Sequence, residues 1–165
     1  MLVNGLYRML KSSVGIFFNF LNLLLLGNLP PLGCVSLIVQ HQDKFLTIER
    51  PEGGYVLPGG FMRWREHPTQ TALREGMEET GLKLKVIELI GCGSNSSERL
   101  TRMSTLTVIY YAEVVEGELR NSIEGRVSWQ DEAELLEKIV PKQKGIFEYF
   151  LSYREQSKGV KRFQV

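Results

Sequence analysis

Glu66, Arg74, Glu75, Glu78 and Glu79 all fall between Gly60 and Leu82. Glu75, Glu78 and Glu79 stand at i, i+3 and i+4, so a helix over 68–80 stacks their carboxylates on one face. Like charges at that spacing cost a helix roughly 0.2–0.5 kcal/mol per pair, and no lysine is interleaved to relieve them. Concentrated hard oxygens of this kind suit Mg²⁺ or Mn²⁺, which prefer carboxylate, carbonyl and water ligands. The turn Pro58-Gly59-Gly60 lets backbone approach such a site closely and offers the Gly59 carbonyl as a further ligand. Arg74, adjacent to Glu75 and four residues before Glu78, can fix a glutamate through a bidentate pair.

The elements that must carry these groups can be read from their flanks. Pro68 suits a first helical position, where its missing N–H costs nothing, and Gly81 suits the left-handed residue that closes the helix. His67 reads as a helix-start residue. Residues 34–40 and 44–49 read as strands joined by a polar turn, Tyr55-Val56-Leu57 as a short apolar run, and 84–92 and 104–115 as strands, the latter rich in β-branched and aromatic residues. Gly125 to Trp129 forms another candidate strand. Asp131 followed by Glu134 has the spacing of a capping box for a short helix, and 142–156 carries Ile146, Phe147, Phe150 and Leu151 at helical spacing. Strands with helices on either side imply a mixed α/β sandwich.

Composition narrows the classes. The chain has 165 residues, 43% hydrophobic and 24% charged, which is the balance of one globular domain rather than a disordered chain or disulfide miniprotein. Its net charge of +1 supplies no global field to attract nucleic acid. Cys34 and Cys92 are too few for a disulfide framework, and with only His41 and His67 present a multi-histidine metal centre is excluded. The plain expectation is a reducing, cytoplasmic setting.

Residues 1–30 differ from the rest. Val14 to Leu26 is an apolar run preceded by Arg8 and Lys11 and followed by Pro30-Pro31. Its thirteen residues would reach roughly 20 Å as a helix, short of the ~30 Å hydrocarbon core. A helix packed on its own domain or on a dimer partner is the leading expectation, with peripheral contact to a membrane surface, and after it a cleaved or lipidated signal, as the alternatives. The basic KGVKRFQV at 158–165 reads as a tail.

The segment Gly60, Glu66, Arg74, Glu75, Glu78, Glu79, Gly81, Leu82 resembles the Nudix box, Gly-x5-Glu-x7-Arg-Glu-U-x-Glu-Glu-x-Gly-U, where U is bulky and aliphatic. Gly76 departs from it at the first U, where a helix-interior glycine costs about 1 kcal/mol. The resemblance implies the Nudix α/β/α sandwich over 31–157, with an extra N-terminal helix. It implies Mg²⁺-dependent hydrolysis of a nucleoside diphosphate linked to another group, ADP-ribose or an NDP-sugar ahead of nucleoside triphosphates. In that pattern Glu75, Glu78 and Glu79 hold metal, Glu79 chief among them. Arg74 orients Glu75, and Glu66 supports the cluster. Glu124, five residues before Trp129, is the general-base candidate.

For the substrate, Arg50, Arg63, Arg99 and Arg102 are candidate diphosphate partners, and Tyr55, Phe61 and Trp64 candidate stacking residues. A catalytically weak nucleotide sensor using the same metal site is the alternative function.

Overall fold

The computed structural model describes residues 2–97 and 99–159. The chain runs α1 (Leu2–Leu24), β1 (Leu32–His41), β2 (Lys44–Glu49), β3 (Tyr55–Val56), β4 (Gly59–Phe61), α2 (Pro68–Thr80), β5 (Leu82–Asn95), β6 (Thr105–Gly117), β7 (Arg126–Asp131), α3 (Glu132–Lys138) and α4 (Pro141–Gly159). Most of the expected basic tail lies outside the described residues.

The strands form a mixed sheet in the order β3-β2-β1-β6-β5, with β4 also on β1 and β7 also on β2. β1 runs parallel to β6 and antiparallel to β2 and β4. Period-two alternation on β1 divides two cores. Val35, Leu37 and Val39 join Ala72 of α2 and Leu84 of β5 in one. Ile38 joins Phe45, Leu135, Phe147 and Phe150 in the other. A sheet apolar on both faces must be covered on both, which places α2 on one side and α3 with α4 on the other. In the second core Phe45 meets the Phe147 ring edge-on, with centroids 4.9 Å apart. The expected α/β/α sandwich with an added N-terminal helix is the fold observed.

Three local expectations change. Gly59 and Gly60, read with Pro58 as a turn, belong with Phe61 to a short strand that pairs with Cys34–Ser36. Asp131 precedes α3 in an extended conformation but makes no side-chain cap, and the expected box does not form. Glu134 instead accepts hydrogen bonds from the Tyr55 hydroxyl (3.2 Å) and from Lys138 (2.9 Å). β5 is longer than its apolar pattern, because antiparallel pairing with β6 carries it to Asn95. That ladder has three register shifts, and β5 forms one edge of the sheet.

α1 rests on the loop joining β5 to β6. Gly15 is buried against the Thr101 backbone, where a methyl group would overlap the Thr101 carbonyl. The Asn19 amide donates to the carbonyls of Leu100 (2.8 Å) and Arg102 (2.6 Å). Asn22 accepts from the Leu29 N–H at 3.0 Å, fixing the chain's exit towards β1.

Candidate active site

α2 holds the cluster because both of its ends are fixed. The His67 imidazole accepts from the Thr69 N–H, and the Gln70 amide oxygen accepts from the His67 N–H at 2.8 Å, a reciprocal cap followed by Pro68. Gly81 closes the helix in the left-handed region (φ 78°), its N–H donating to the Met77 carbonyl. Gly76 lies against the first core: a methyl there would come 2.6 Å from Leu84 Cδ1 and 3.5 Å from Leu37 Cδ1. The missing side chain is therefore what lets α2 lie close to the sheet.

Arg74 is the hub of the outer face. Its Nε and Nη2 donate to the two oxygens of Glu66 (2.7 and 2.9 Å), while Nη1 reaches Glu75 (2.7 Å) and Glu78 (3.2 Å). Glu66 also accepts from the Arg63 N–H and the Thr71 hydroxyl. These donors, Arg74 first, hold the Glu66 carboxyl well below the usual carboxylate range and push the Arg74 guanidinium up. The Arg63 guanidinium straddles both oxygens of Glu78 (3.1 and 3.2 Å).

Glu79 points the other way. It is only 7% exposed, and its Oε2 accepts the Gly59 N–H at 2.9 Å. Gly59 can present that N–H only as glycine: its φ is 148°, and a side chain would overlap the Val35 carbonyl. Burial raises the Glu79 carboxyl to about 7 against the pull of the Gly59 amide; the negative fields of Glu75 and Glu124 add to the rise, and Arg50 partly offsets it. The Glu75 field also reaches Cys34, whose thiol is pushed up to about 11, chiefly by burial. A methyl on Gly60 would overlap the Glu75 carboxyl, so this glycine keeps room for it.

Among the described residues, no three His, Cys, Asp or Glu side chains are gathered for direct metal ligation. The reason is visible: Arg74 draws Glu66, Glu75 and Glu78 to itself, away from Glu79. The donor set still fits a hard divalent cation. Glu79 is in no ion pair among the described residues, the negative fields of Glu75 and Glu124 reach it, and every candidate ligand is an oxygen.

Of the other expected residues, Arg50 and Glu124 are brought to this cluster and to each other. Arg50 Nη1 forms an ion pair with the Glu124 carboxylate and donates to the Glu124 carbonyl at 3.3 Å. Beside them lies an open cleft of about 440 Å³ lined by Glu49, Arg50, Pro51, Asn121, Gly125 and Arg126. Arg126 was not among the expected residues; only its place opposite Glu49 on the β2–β7 ladder brings it here. Tyr55 is not in the cleft. Its ring is buried in the second core and its hydroxyl is spent on Glu134. Arg99 and Arg102 are exposed on the loop under α1. Phe61 and Trp64 are exposed, Trp64 with the Arg65 guanidinium 5.9 Å from its ring centroid.

Comparison with known proteins agrees with this geometry. The NUDIX domain family model matches residues 30–150. The chain is 35% identical over 96 residues to an ADP-ribose pyrophosphatase of Methanocaldococcus jannaschii, an alignment covering 56% of each protein, so it spans little more than half of that relative. It is 31% identical over 115 residues to a MutT-like protein of Streptomyces ambofaciens, covering 67% of this chain and 71% of the relative. A NUDIX hydrolase from Nitrosomonas europaea superimposes with a TM-score of 0.65 at 23% identity, over 74% of this chain and 90% of that one, a likeness of fold. With Arg74, Glu75, Glu78 and Glu79 on one capped helix and the family model covering the sandwich from β1 into α4, this chain belongs to the NUDIX domain family.

Proposed function

We propose that the protein is a divalent-metal-dependent pyrophosphohydrolase. It cleaves a nucleoside diphosphate linked to a second group, ADP-ribose or an NDP-sugar ahead of a nucleoside triphosphate. The observation that carries this reading is the buried Glu79 carboxyl, held by the Gly59 N–H and facing Glu75 and Glu124. The name of the M. jannaschii relative supports the substrate class.

Glu75, Glu78 and Glu79, with the Gly59 backbone, would hold Mg²⁺ or Mn²⁺, which when bound neutralises diphosphate oxygens and acidifies a water. Arg74 fixes the direction of the Glu75 carboxylate, and Glu66 fixes Arg74. Glu124 would accept the proton of the attacking water, and its ion pair with Arg50 supports that role by fixing the carboxylate's orientation. Arg50 and Arg126 at the cleft, with Arg63 across the box, offer cations to the diphosphate. The contribution of these residues is mainly position and electrostatics. We place the activity in the cytoplasm.

The test is incubation with Mg²⁺ and a panel of ADP-ribose, NDP-sugars, NADH, dinucleoside polyphosphates, CoA and nucleoside triphosphates, with products read by mass. One substrate class cleaved far ahead of the rest, and silence from Glu79→Gln, is the expected result. Binding of a panel member without turnover would instead favour the sensor.

A further inference from the structure

α1 is mounted inside out. Ordinarily a surface helix buries its apolar stripe and shows water its polar one. Here the contacts that fix the helix to the loop are made by small or polar residues: Gly15 lies on the Thr101 backbone, and Asn19 bonds the Leu100 and Arg102 carbonyls. Met9, Ile16, Phe17, Phe20, Leu23 and Leu24 share the outward face, with Phe17 68%, Phe20 58% and Leu23 72% exposed. At 1.5 Å per residue the unbroken part of this stripe, Ile16 to Leu24, runs roughly 13 Å, with Met9 further along beyond the exposed Ser13. Clustered apolar side chains of this kind mark a contact surface rather than scattered exposure. It continues past the helix end through Leu26, 88% exposed.

Charge identifies the occupant. No Asp or Glu occurs before Asp43, and the charges of α1 are Arg8 and Lys11. The loop under the helix adds Arg99 and Arg102, both exposed and neither in an ion pair among the described residues. A second copy laid on this stripe would bring Arg8 and Lys11 of both helices together, with no carboxylate from either α1 to receive them. An anionic lipid surface supplies both what the stripe lacks, acyl chains, and what the rim lacks, negative charge. Among the described residues no helix is long and apolar enough to cross a membrane, so the helix would lie along the surface.

We propose that α1 docks this domain on an anionic lipid bilayer, its Phe and Leu side chains entering the headgroup boundary and Arg99 and Arg102 pairing with lipid charge.

The full chain is mixed with phosphatidylcholine vesicles, with and without phosphatidylserine, and bound protein is separated by flotation. Phosphatidylserine should raise binding about tenfold or more, and high salt should reverse most of that gain. The double variant Phe20→Glu/Leu24→Glu should abolish flotation. Arg99→Gln/Arg102→Gln should lose most of the preference for phosphatidylserine. The exchanged residues are exposed, and an unchanged melting temperature would verify that each variant is folded. Protein that stays in solution with both vesicle types overturns the proposal, as does equal binding to neutral and anionic vesicles. A dimer that Phe20→Glu/Leu24→Glu dissociates, without vesicle binding by the parent, overturns it in favour of a second copy.

Discussion

α2 and α1 turn opposite sides to the same domain. α2 buries Thr71, Ala72, Gly76, Glu79 and Thr80 and holds Glu75 and Glu78 on its outer face beside Arg74, all from a fixed frame. α1 sends Phe17, Phe20, Leu23 and Leu24 outward and is fixed to the domain through Gly15 and Asn19. The difference is one of anchoring. α2 is part of a core, so its register is set by shape and its charges inherit that precision. α1 is held through a few backbone hydrogen bonds, so little of the domain's stability depends on it.

That contrast is tested most severely at Glu79. Glu79→Gln keeps the size of the side chain and its ability to accept from Gly59 while removing a charge. Hydrolysis should fall on the order of 10³-fold, about 4 kcal/mol of transition-state stabilisation, with the fold intact. Turnover assays beside thermal melts would measure this; a loss of activity that tracks a loss of fold would mean the charge has no role of its own.

The same residue gives a pH signature in chelator-treated protein. Its folded-state value of about 7 lies above the ordinary 4.5, so the folded state binds more protons between those limits. Stability from this group is present below about pH 4.5 and is lost as pH rises to about 7, by on the order of 3 kcal/mol. Glu66 works in the reverse sense: held below the usual range, it stabilises above pH 4.5 and loses that contribution in acid. Urea unfolding across pH 4.5–7 should show the decline in the parent and not in Glu79→Gln.

Gly76→Leu, which would restore an aliphatic residue where the family's pattern has one, should destabilise by about 1–3 kcal/mol because Leu84 and Leu37 already fill the space. A stabilised variant would show that the sheet can give way there. The smallest effect belongs to α1. Phe17→Ser/Phe20→Ser should change unfolding free energy by less than about 0.5 kcal/mol, since both side chains are exposed. A large loss would mean that this face packs on something within the chain.

The sequence made α2 legible to the residue, because Pro68 and Gly81 act locally and the carboxylate spacing needs a helix. His67 was recognised as the start, but its reciprocal bond with Gln70 was not, histidine being an uncommon cap. The Asp131–Glu134 box does not form because Glu134 is taken by Tyr55, which only the fold brings near, and by Lys138 one turn along α3. The Arg50–Glu124 pair joins residues whose approach depends on β2 and β7 lying side by side. The apolar run of α1 was plain, yet a run does not tell which way each side of the helix looks. Asn19 lies on the docking side.

The bulged outer strand has a bearing on how the protein behaves when crowded. β5 is fourteen residues long and ends the sheet, so one run of its backbone groups is left without a strand partner. A flat edge of that length would recruit strands from other molecules. The three register shifts against β6 twist it, and Lys83, Lys85 and Glu88 stand exposed along it. A strand arriving from another copy would find neither a regular ladder nor an uncharged one, which protects the domain from growing sheet upon sheet into aggregates.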